Sequence, residues 1–262
     1  MSAITFDGEA ARSLEATYLA PDMVAQRARV LDLLAPRRGE RILDVGVGPG
    51  LLAYDLARLT GPEGRVVGLD VSADMLAIAR ERLKDLPQAE CIQGDAVQLA
   101  LPDQAFDAAV STQVYEYVPD MPRALDELRR VLRPGGRAVI LDTDWRSLVW
   151  ACSDQARMDR VLACWDDHLA DPHLPSRLGP LLQEAGFEVR RVEVLPLLAP
   201  AWQPTSYAAG MARSIEDFAR RHGARHGIGA AEIDAWRADQ DMLIGGGGFF
   251  FSLNRYLFVA TR

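Results

Sequence analysis

Five short apolar segments alternate with helical segments between residues 41 and 144, and this alternation is the strongest constraint on the fold. The intervening segments carry apolar residues at helical spacing and are followed by Gly or Pro. Strands that alternate with helices in this way form a parallel, doubly wound α/β sheet with right-handed crossovers. Ligands bind such sheets beyond the carboxyl ends of the strands. The predicted strands are 41–46, 65–72, 89–96, 106–114 and 137–144.

The pattern changes after Asp144, where strands become rare. Residues 146–175 are predicted to be mostly helical without a strand, and residues 200–251 to consist of loops and helices. We interpret these two stretches as insertions that form a mobile cap over the ligand edge, with the glycine run 245–248 as a hinge. The rest of the single domain, 1–262, is predicted to comprise N-terminal helices at 9–35 and a core at 36–145, 176–199 and 252–262.

The composition excludes several classes of protein. A net charge of −8 argues against a nucleic-acid partner, because binding to phosphates requires an excess of positive charge. No apolar run is long enough to span a membrane, and "MSAITFDGEA" lacks the features of a signal peptide, so we expect a cytoplasmic protein without a membrane partner. The three cysteines are too few and too scattered for a disulfide framework, and we predict no metal site.

Three glycines, Gly46, Gly48 and Gly50, connect the first predicted strand to the helix that follows it. Bare backbone at such a turn lets N–H groups approach a ligand closely. A dinucleotide-binding fingerprint would place its third glycine where this chain has Leu51. Asp44, two residues before the run, would repel a pyrophosphate but can steady a loop that faces an α-ammonium group.

Two further acids follow the next two predicted strands. Asp70 ends the second strand, where a carboxylate can accept hydrogen bonds from both ribose hydroxyls. Asp95 ends the third strand, where it can accept a hydrogen bond from the adenine amino group. The ordered set of glycines and acids therefore favours an adenosyl sulfonium carrying an amino acid over a dinucleotide. An NAD-dependent oxidoreductase remains the less favoured alternative.

These motifs resemble the class I S-adenosylmethionine-dependent methyltransferases, in particular the type 11 branch that includes ubiquinone and menaquinone C-methyltransferases. The resemblance covers about residues 25–142 and implies a seven-stranded sheet whose last strand is antiparallel and lies between the fifth and sixth. It also implies S-adenosylmethionine as the cofactor. The segments that carry it are "LDVGVGPG", "VVGLDVSADMLAIAR", "CIQGDA", "FDAAVSTQVYEYVPD" and "LDELRRVLRPGGRAVI".

The resemblance assigns the three glycines to the methionyl part of the cofactor, Asp70 to the ribose, and Asp95 with the Ala96 amide to the adenine. Many relatives read L-x-H-V after the fourth strand, whereas this chain has Tyr117 in place of the His, so no role of that His can be transferred. Tyr18 is interpreted either as closing over the adenosyl group or as a packed helix residue. The remaining predicted cofactor residues are Asp44, Val71, Met75, Thr112 and Gln113, the last two near the sulfonium.

Asp142 and Asp144 end the fifth predicted strand and are the candidates for a catalytic base. The alternative for Asp144 is a cap on the following helix. Methyl transfer depends mainly on alignment and a dry site, and a base is needed only when the acceptor must lose a proton. We therefore predict methyl transfer to a small, largely apolar metabolite. A cofactor-binding sensor or partner protein without activity is the alternative, and a homodimer is left open.

Overall fold

The structure is a computed structural model that describes Glu15 and residues 17–262. Its strands are β1 (Arg41–Val45), β2 (Arg65–Asp70), β3 (Ala89–Gln93), β4 (Phe106–Thr112), β5 (Leu132–Thr143), β6 (Val149–Trp150), β7 (Glu188–Ala199) and β8 (Phe251–Thr261). Its helices are α1 (Pro21–Leu34), α2 (Leu51–Thr60), α3 (Ala73–Leu83), α4 (Met121–Val131), α5 (Gln155–Asp166), α6 (Pro175–Glu184), α7 (Tyr207–His222) and α8 (Ala230–Gly245). Short 3-10 helices cover Tyr115–Tyr117, Trp145–Ser147 and Gly223–His226.

The strands form one sheet in the order β3-β2-β1-β4-β5-β8, and β7 pairs with the other edge of β8. Strands β1 to β5 are mutually parallel, whereas β8 runs antiparallel to both β5 and β7. This confirms the predicted doubly wound sheet, including the antiparallel last strand between the fifth strand and the long strand before it. The carboxyl ends of β1, β2 and β4 consequently lie along one edge.

Residues 42–45 of the central strand β1 are buried on both faces of the sheet, because successive side chains of a strand point to opposite sides. In β1, Ile42 packs in the apolar cluster formed with helices α1, α2 and α3. Its neighbours Leu43 and Val45 pack in the cluster formed with α4 and α6. The result is a three-layer arrangement that holds the strand ends, and thus the loops that follow them, in fixed positions.

A third apolar cluster combines residues from both predicted insertions. Trp165 of α5 packs edge-on against Phe218 of α7, with ring centroids 5.6 Å apart. Trp150 packs edge-on against Trp236 of α8 and Phe251 of β8, with ring centroids 5.9 and 5.1 Å apart. The two insertions, which are separated in sequence by α6 and β7, therefore share one core.

Several predicted boundaries differ from the structure, and the largest shift of a strand start is in β5, which begins at Leu132 and not at residue 137. The prediction that 146–175 lacks a strand is wrong, because β6 pairs with Ser252 and Phe251 at the start of β8. A two-residue strand has too little alternation to show in the sequence and forms only through this pairing. The third strand ends at Gln93 rather than at residue 96. Within the predicted helices at 9–35, α1 begins at Pro21, and the part before residue 15 lies outside the described residues.

Candidate active site

A cavity of about 680 Å³ opens at the carboxyl ends of β1, β2 and β4. This volume is typical of a site for a cofactor or a small-molecule ligand. Gly50, Asp142 and Asp144 are the predicted site residues that do not line it. The predicted site residues that line it are Tyr18, Asp44, Gly46, Gly48, Asp70, Val71, Met75, Asp95, Ala96, Thr112 and Gln113.

The glycine loop after β1 is tied to the end of β2. The amide of Gly46 donates to the Leu69 carbonyl at 2.7 Å, and the amide of Gly48 donates to Asp70 Oδ2 at 2.9 Å. Gly48 has φ +50°, and a Cβ at this position would have no atom within 4 Å. The loop therefore presents bare backbone beside the cavity while its amides on the β2 side are satisfied.

Gly50 has a different environment from the other two glycines. It is the N-terminal cap of α2 with φ +78°, and a Cβ there would lie 3.0 Å from the Cα and Cβ of Ala79 in α3. A side chain at this position would force α2 and α3 apart. The structure thus places Gly50 in the contact between α2 and α3 and outside the cavity lining.

Asp44 is a buried carboxylate with an unmet hydrogen-bonding requirement. Its side chain lines the cavity, the residue is 1% exposed, and Oδ2 has no hydrogen-bond partner among the described residues. Burial, and then the negative charge of Asp70, raise the pKa of Asp44 to about 7. A cationic group in the cavity would supply the missing partner and favour the ionised carboxylate.

Both carboxylate oxygens of Asp70 accept hydrogen bonds from backbone amides. Oδ1 accepts from the Ser72 amide at 2.9 Å, and Oδ2 accepts from Gly48. Burial raises the pKa of Asp70, although its backbone hydrogen bonds act in the opposite direction. Asp95 is exposed at the cavity, where Oδ1 also accepts from the Val97 amide at 3.1 Å. Each oxygen of Asp70 keeps accepting capacity for a ligand hydroxyl.

Arg27 of α1 also lines the cavity, although it was not a predicted site residue. Its Nε donates to Asp55 Oδ2 at 3.1 Å, and its Nη1 donates to the Tyr18 carbonyl at 3.3 Å. A guanidinium held in this way suits the carboxylate of an amino-acid ligand. The sequence carries no signal for this role, because an arginine on an amphipathic helix is usually a solvated surface residue.

The loop after β4 contains a residue in an uncommon backbone conformation. Gln113 has φ +60° without being glycine, and its amide donates to the Leu141 carbonyl at 2.7 Å. Its side-chain Nε2 donates to Thr143 Oγ1 at 2.7 Å. Non-glycine residues hold such conformations where the surrounding structure imposes them, as it often does at functional sites. Gln113 is thus fixed at the cavity wall beside Thr112.

Asp142 lies beneath this loop and outside the cavity lining. Its Oδ1 accepts from the amides of Val114 at 3.1 Å and Glu116 at 3.4 Å. Burial, followed by the nearby charge of Glu116, raises the pKa of Asp142 well above its ordinary value. Its contacts indicate that Asp142 positions the loop that carries Gln113, and they do not place it against a reacting group.

Asp144 also lies outside the cavity lining. It caps the 3-10 helix Trp145–Ser147 by accepting from the Arg146 amide at 3.1 Å, and it forms an ion pair with the Arg146 guanidinium at 3.0 Å. Burial raises the pKa of Asp144, but the hydrogen bonds and charge of Arg146 outweigh it, so the net shift is downward. These contacts match the capping alternative and give no support to Asp144 as a base.

Aromatic rings form another part of the cavity wall. Tyr18 and Tyr117 line it together with His168, whose ring centroid is 5.6 Å from that of Tyr117. The amides of Ala170 and Asp171 donate to the Glu116 carbonyl at 2.9 and 3.0 Å, which fixes the segment of His168 against the loop after β4. His168 was not predicted as a site residue, because this contact depends on distant parts of the chain meeting.

Two kinds of feature are absent from the part of the chain that the structure describes. It contains no group of three or more His, Cys, Asp or Glu side chains arranged to hold a metal ion. None of its helices combines the length and apolar character needed to cross a membrane.

Comparisons with known proteins identify the family of the chain. A family model described as a methyltransferase domain matches residues 43–140. A 2-phytyl-1,4-naphtoquinone methyltransferase from Thermosynechococcus vestitus is 39% identical over 184 residues, which cover 64% of this chain and 80% of that protein. The chain belongs to the S-adenosylmethionine-dependent methyltransferases. The cofactor of this family is S-adenosylmethionine, as the order of motifs predicts.

Other similarities of this methyltransferase extend over more of its length. An uncharacterized 37.1 kDa protein in transposon TN4556 of Streptomyces fradiae is 34% identical over 238 residues, covering 88% of this chain and 65% of that protein. The methyltransferase chain spans between 48% and 65% of the first curated relatives that it matches. The crystal structure of the cyclase SpnF superimposes with a TM-score of 0.61 at 25% identity, covering 91% of this chain and 80% of that one.

Proposed function

We propose that this methyltransferase transfers a methyl group from S-adenosylmethionine to a small, largely apolar acceptor. The observation that carries the proposal is a single cavity lined by the acids at the strand ends and by the rings of Tyr18 and Tyr117. The acids suit the polar and cationic parts of the cofactor. The rings suit an apolar acceptor, because aromatic side chains contribute large apolar contact areas.

The residues at the strand ends fit the cofactor on two observations. The unpartnered Oδ2 of Asp44 would receive the α-ammonium group, and the bare backbone at Gly48 leaves room beside the methionyl chain. Asp70 would accept the ribose hydroxyls, and Asp95 with the Ala96 amide would hold the adenine. Thr112 and Gln113 would lie near the sulfonium. When bound, S-adenosylmethionine supplies a methyl group that its positive sulfur activates for displacement.

The protein's own contribution is alignment and the exclusion of water. The aromatic cluster shared by residues 146–175 and 200–251 is proposed to form a cap on the acceptor side. The relative from Thermosynechococcus vestitus is named for an apolar naphtoquinone substrate, which supports an apolar acceptor here. Its match covers 64% of this chain, so acceptor choice is expected to depend also on residues outside that match.

Two measurements, carried out one after the other, test the proposal, and the first concerns the cofactor. Isothermal titration with S-adenosylmethionine, S-adenosylhomocysteine and NAD should show saturable binding of the first two and no comparable binding of NAD. Tight NAD binding without binding of the sulfonium would contradict the cofactor assignment.

Radiolabelled methyl transfer to phenols, hydroquinones, amines, RNA and DNA then identifies the acceptor class. Transfer to a small apolar molecule is expected. Efficient transfer to a nucleic acid at raised salt concentration would contradict the acceptor class. Cofactor binding without transfer to any acceptor would favour the sensor or partner alternative.

A further inference from the structure

We infer that Nε2 of His168 accepts a hydrogen bond from a hydroxyl group of the acceptor and orients its oxygen, so that the acceptor class is a hydroxyl-bearing apolar molecule. This inference rests on the methyl transfer proposed above. His168 lies in the cavity wall, is 3% exposed, and belongs to the segment that precedes α6.

The protonation state of the imidazole follows from its one identified hydrogen bond. Nδ1 lies at hydrogen-bonding distance from the Trp165 carbonyl. A carbonyl oxygen can only accept, so Nδ1 carries the proton and Nε2 holds a lone pair. Nε2 is buried and has no hydrogen-bond partner among the described residues. A buried acceptor that is left unpaired at a cavity wall is suited to a hydroxyl donor from a ligand.

Aromatic rings surround the imidazole and keep it neutral. The ring centroids of Trp165, Phe218 and Tyr117 lie 3.9, 5.5 and 5.6 Å from that of His168. Burial lowers the pKa of His168 to about 4, because an apolar setting disfavours the imidazolium. The lone pair on Nε2 is therefore available at neutral pH. The same rings favour an acceptor that is apolar apart from its hydroxyl group.

The position of His168 relative to the cofactor residues is fixed by the backbone. Glu116 holds the His168 segment through the amides of Ala170 and Asp171, and its own amide donates to Asp142. The same carboxylate accepts from Val114, which directly follows Gln113 at the proposed sulfonium end. The segment of His168 and the loop that carries Gln113 are therefore both held through Glu116 and Asp142.

In the proposed methyl transfer, the acceptor oxygen forms a bond to the methyl carbon while the bond from that carbon to sulfur breaks and its electron pair stays on sulfur. The proton of the acceptor hydroxyl leaves to solvent water. The imidazole stays neutral throughout, with its Nδ1–H directed at the Trp165 carbonyl. The products are the methyl ether and S-adenosylhomocysteine.

Binding of paired probes tests the hydrogen bond without requiring turnover. The protein is labelled with nitrogen-15 histidine, saturated with S-adenosylhomocysteine, and titrated with phenol, 1-naphthol or 1,4-naphthohydroquinone and with their methoxy counterparts. At least one hydroxyl probe should bind about fivefold more tightly than its methoxy counterpart and shift the Nε2 resonance of His168. The absence of a preference for every pair would overturn the inference.

Three variants separate hydrogen bonding from structure. His168→Phe should abolish the hydroxyl preference, whereas His168→Gln, whose Oε1 can accept, should keep most of it. His173→Gln is the matched control, since His173 does not line the cavity, and it should bind like the wild type. A hydroxyl preference that survives in His168→Phe would contradict the assignment. Circular dichroism and S-adenosylhomocysteine affinity verify that each variant is folded.

Turnover tests the same hydrogen bond under reaction conditions. With the hydroxyl acceptor that the wild type methylates fastest, His168→Phe should raise KM at least about fivefold, whereas the KM of His168→Gln should stay within about threefold of the wild-type value. An unchanged KM for His168→Phe, or methylation confined to amines and carbon acceptors, would overturn the inference. Loss of S-adenosylhomocysteine binding by the wild type would instead contradict the proposed function, because His168 is not among the cofactor residues.

Discussion

The amide of Gly48 donates a hydrogen bond to Oδ2 of Asp70 at 2.9 Å, which connects the glycine loop after β1 to the carboxyl end of β2. The same carboxylate accepts from the Ser72 amide through Oδ1. Asp70 thus shapes the loop that surrounds the methionyl part of the proposed site, in addition to facing the cavity itself. Replacing Asp70 is therefore expected to change both the shape of the glycine loop and the direct contact with a ligand.

Asp70→Ala is expected to weaken binding of S-adenosylmethionine and S-adenosylhomocysteine at least about tenfold. Hydrogen bonds to a charged group contribute about 1.5–3 kcal/mol each, and about 1.4 kcal/mol corresponds to a factor of ten. Isothermal titration measures the change. Asp74→Ala, at an exposed position in the first turn of α3, is the matched control and should bind normally. An unchanged dissociation constant for Asp70→Ala would refute the ribose assignment.

Asp44 is expected to make stability depend on pH. Burial raises its pKa from 3.8 to about 7, so the folded protein keeps a proton that the unfolded chain releases above about pH 4. The contribution to the free energy of unfolding is therefore fully present below about pH 4 and is lost as the pH rises toward 7. Between pH 5 and pH 8 the free energy of unfolding of the wild type should fall by up to about 3 kcal/mol more than that of Asp44→Asn.

Urea denaturation of the two proteins at both pH values measures this difference. Parallel declines would show that Asp44 is already ionised in the folded state at pH 5. Asp44→Asn should also weaken S-adenosylmethionine binding at pH 8, since the neutral amide cannot pair with the α-ammonium group.

Alanine substitutions should separate the roles of two glycines. Gly50→Ala is expected to lower the free energy of unfolding by about 2–4 kcal/mol, because a left-handed alanine costs about 1–2 kcal/mol and its Cβ would also press against Ala79. The Cβ of Gly48→Ala would have no protein atom within 4 Å, so this variant should lower the free energy of unfolding only by the cost of backbone strain. Its larger effect should be weaker cofactor binding. Urea denaturation and isothermal titration compare the two, and the reverse order of effects would contradict these placements.

Asp144→Asn tests whether this residue acts as a base or as a cap. A capping role predicts unchanged kcat and a stability loss of at most about 1 kcal/mol, because Arg146 is exposed and surface ion pairs contribute little. Asp142→Ala should be far more damaging, since it leaves the part-buried amide of Val114 and the buried amide of Glu116 without an acceptor. A large fall in kcat for Asp144→Asn in a stable protein would restore the catalytic hypothesis.

The proposed cap is expected to change its hydrogen exchange on binding. Residues 146–175 and 200–251 should exchange quickly in the free protein and more slowly with S-adenosylhomocysteine and an acceptor bound. Residues 245–248 are all exposed, which is consistent with a hinge there. Equal protection in the two states would indicate a rigid wall and would remove the reason for a hinge.

The sheet and most of the residues around the cavity could be predicted because their signals are local. Asp44, Asp70 and Asp95 lie at or near strand ends, and parallel strands bring their carboxyl ends to one edge whatever the rest of the chain does. The glycine spacing is equally local, since Gly46 and Gly48 form one turn. The family and the fold were therefore predicted correctly, whereas the individual roles of these residues stay predictions.

The features that sequence reasoning missed depend on contacts between distant segments. His168 reaches the cavity wall because the segment that follows it binds the Glu116 carbonyl. The environment of Gly50 is decided by Ala79 on another helix, and β6 exists only because Phe251 lies beside it. A pattern within a short stretch of sequence cannot predict such contacts between distant segments.

Strand β8 has a consequence for how the chain reaches its native state. Among the described residues β7 pairs only with β8, and residues 200–250 separate the two strands. Until β8 arrives, β7 has no neighbour, and its side chains include Val192, Val194 and Leu198, which remain exposed even in the finished sheet. An unpaired strand edge with such side chains is a site for association between molecules. The pairing of β7 with β8 therefore also protects the protein against association through this edge.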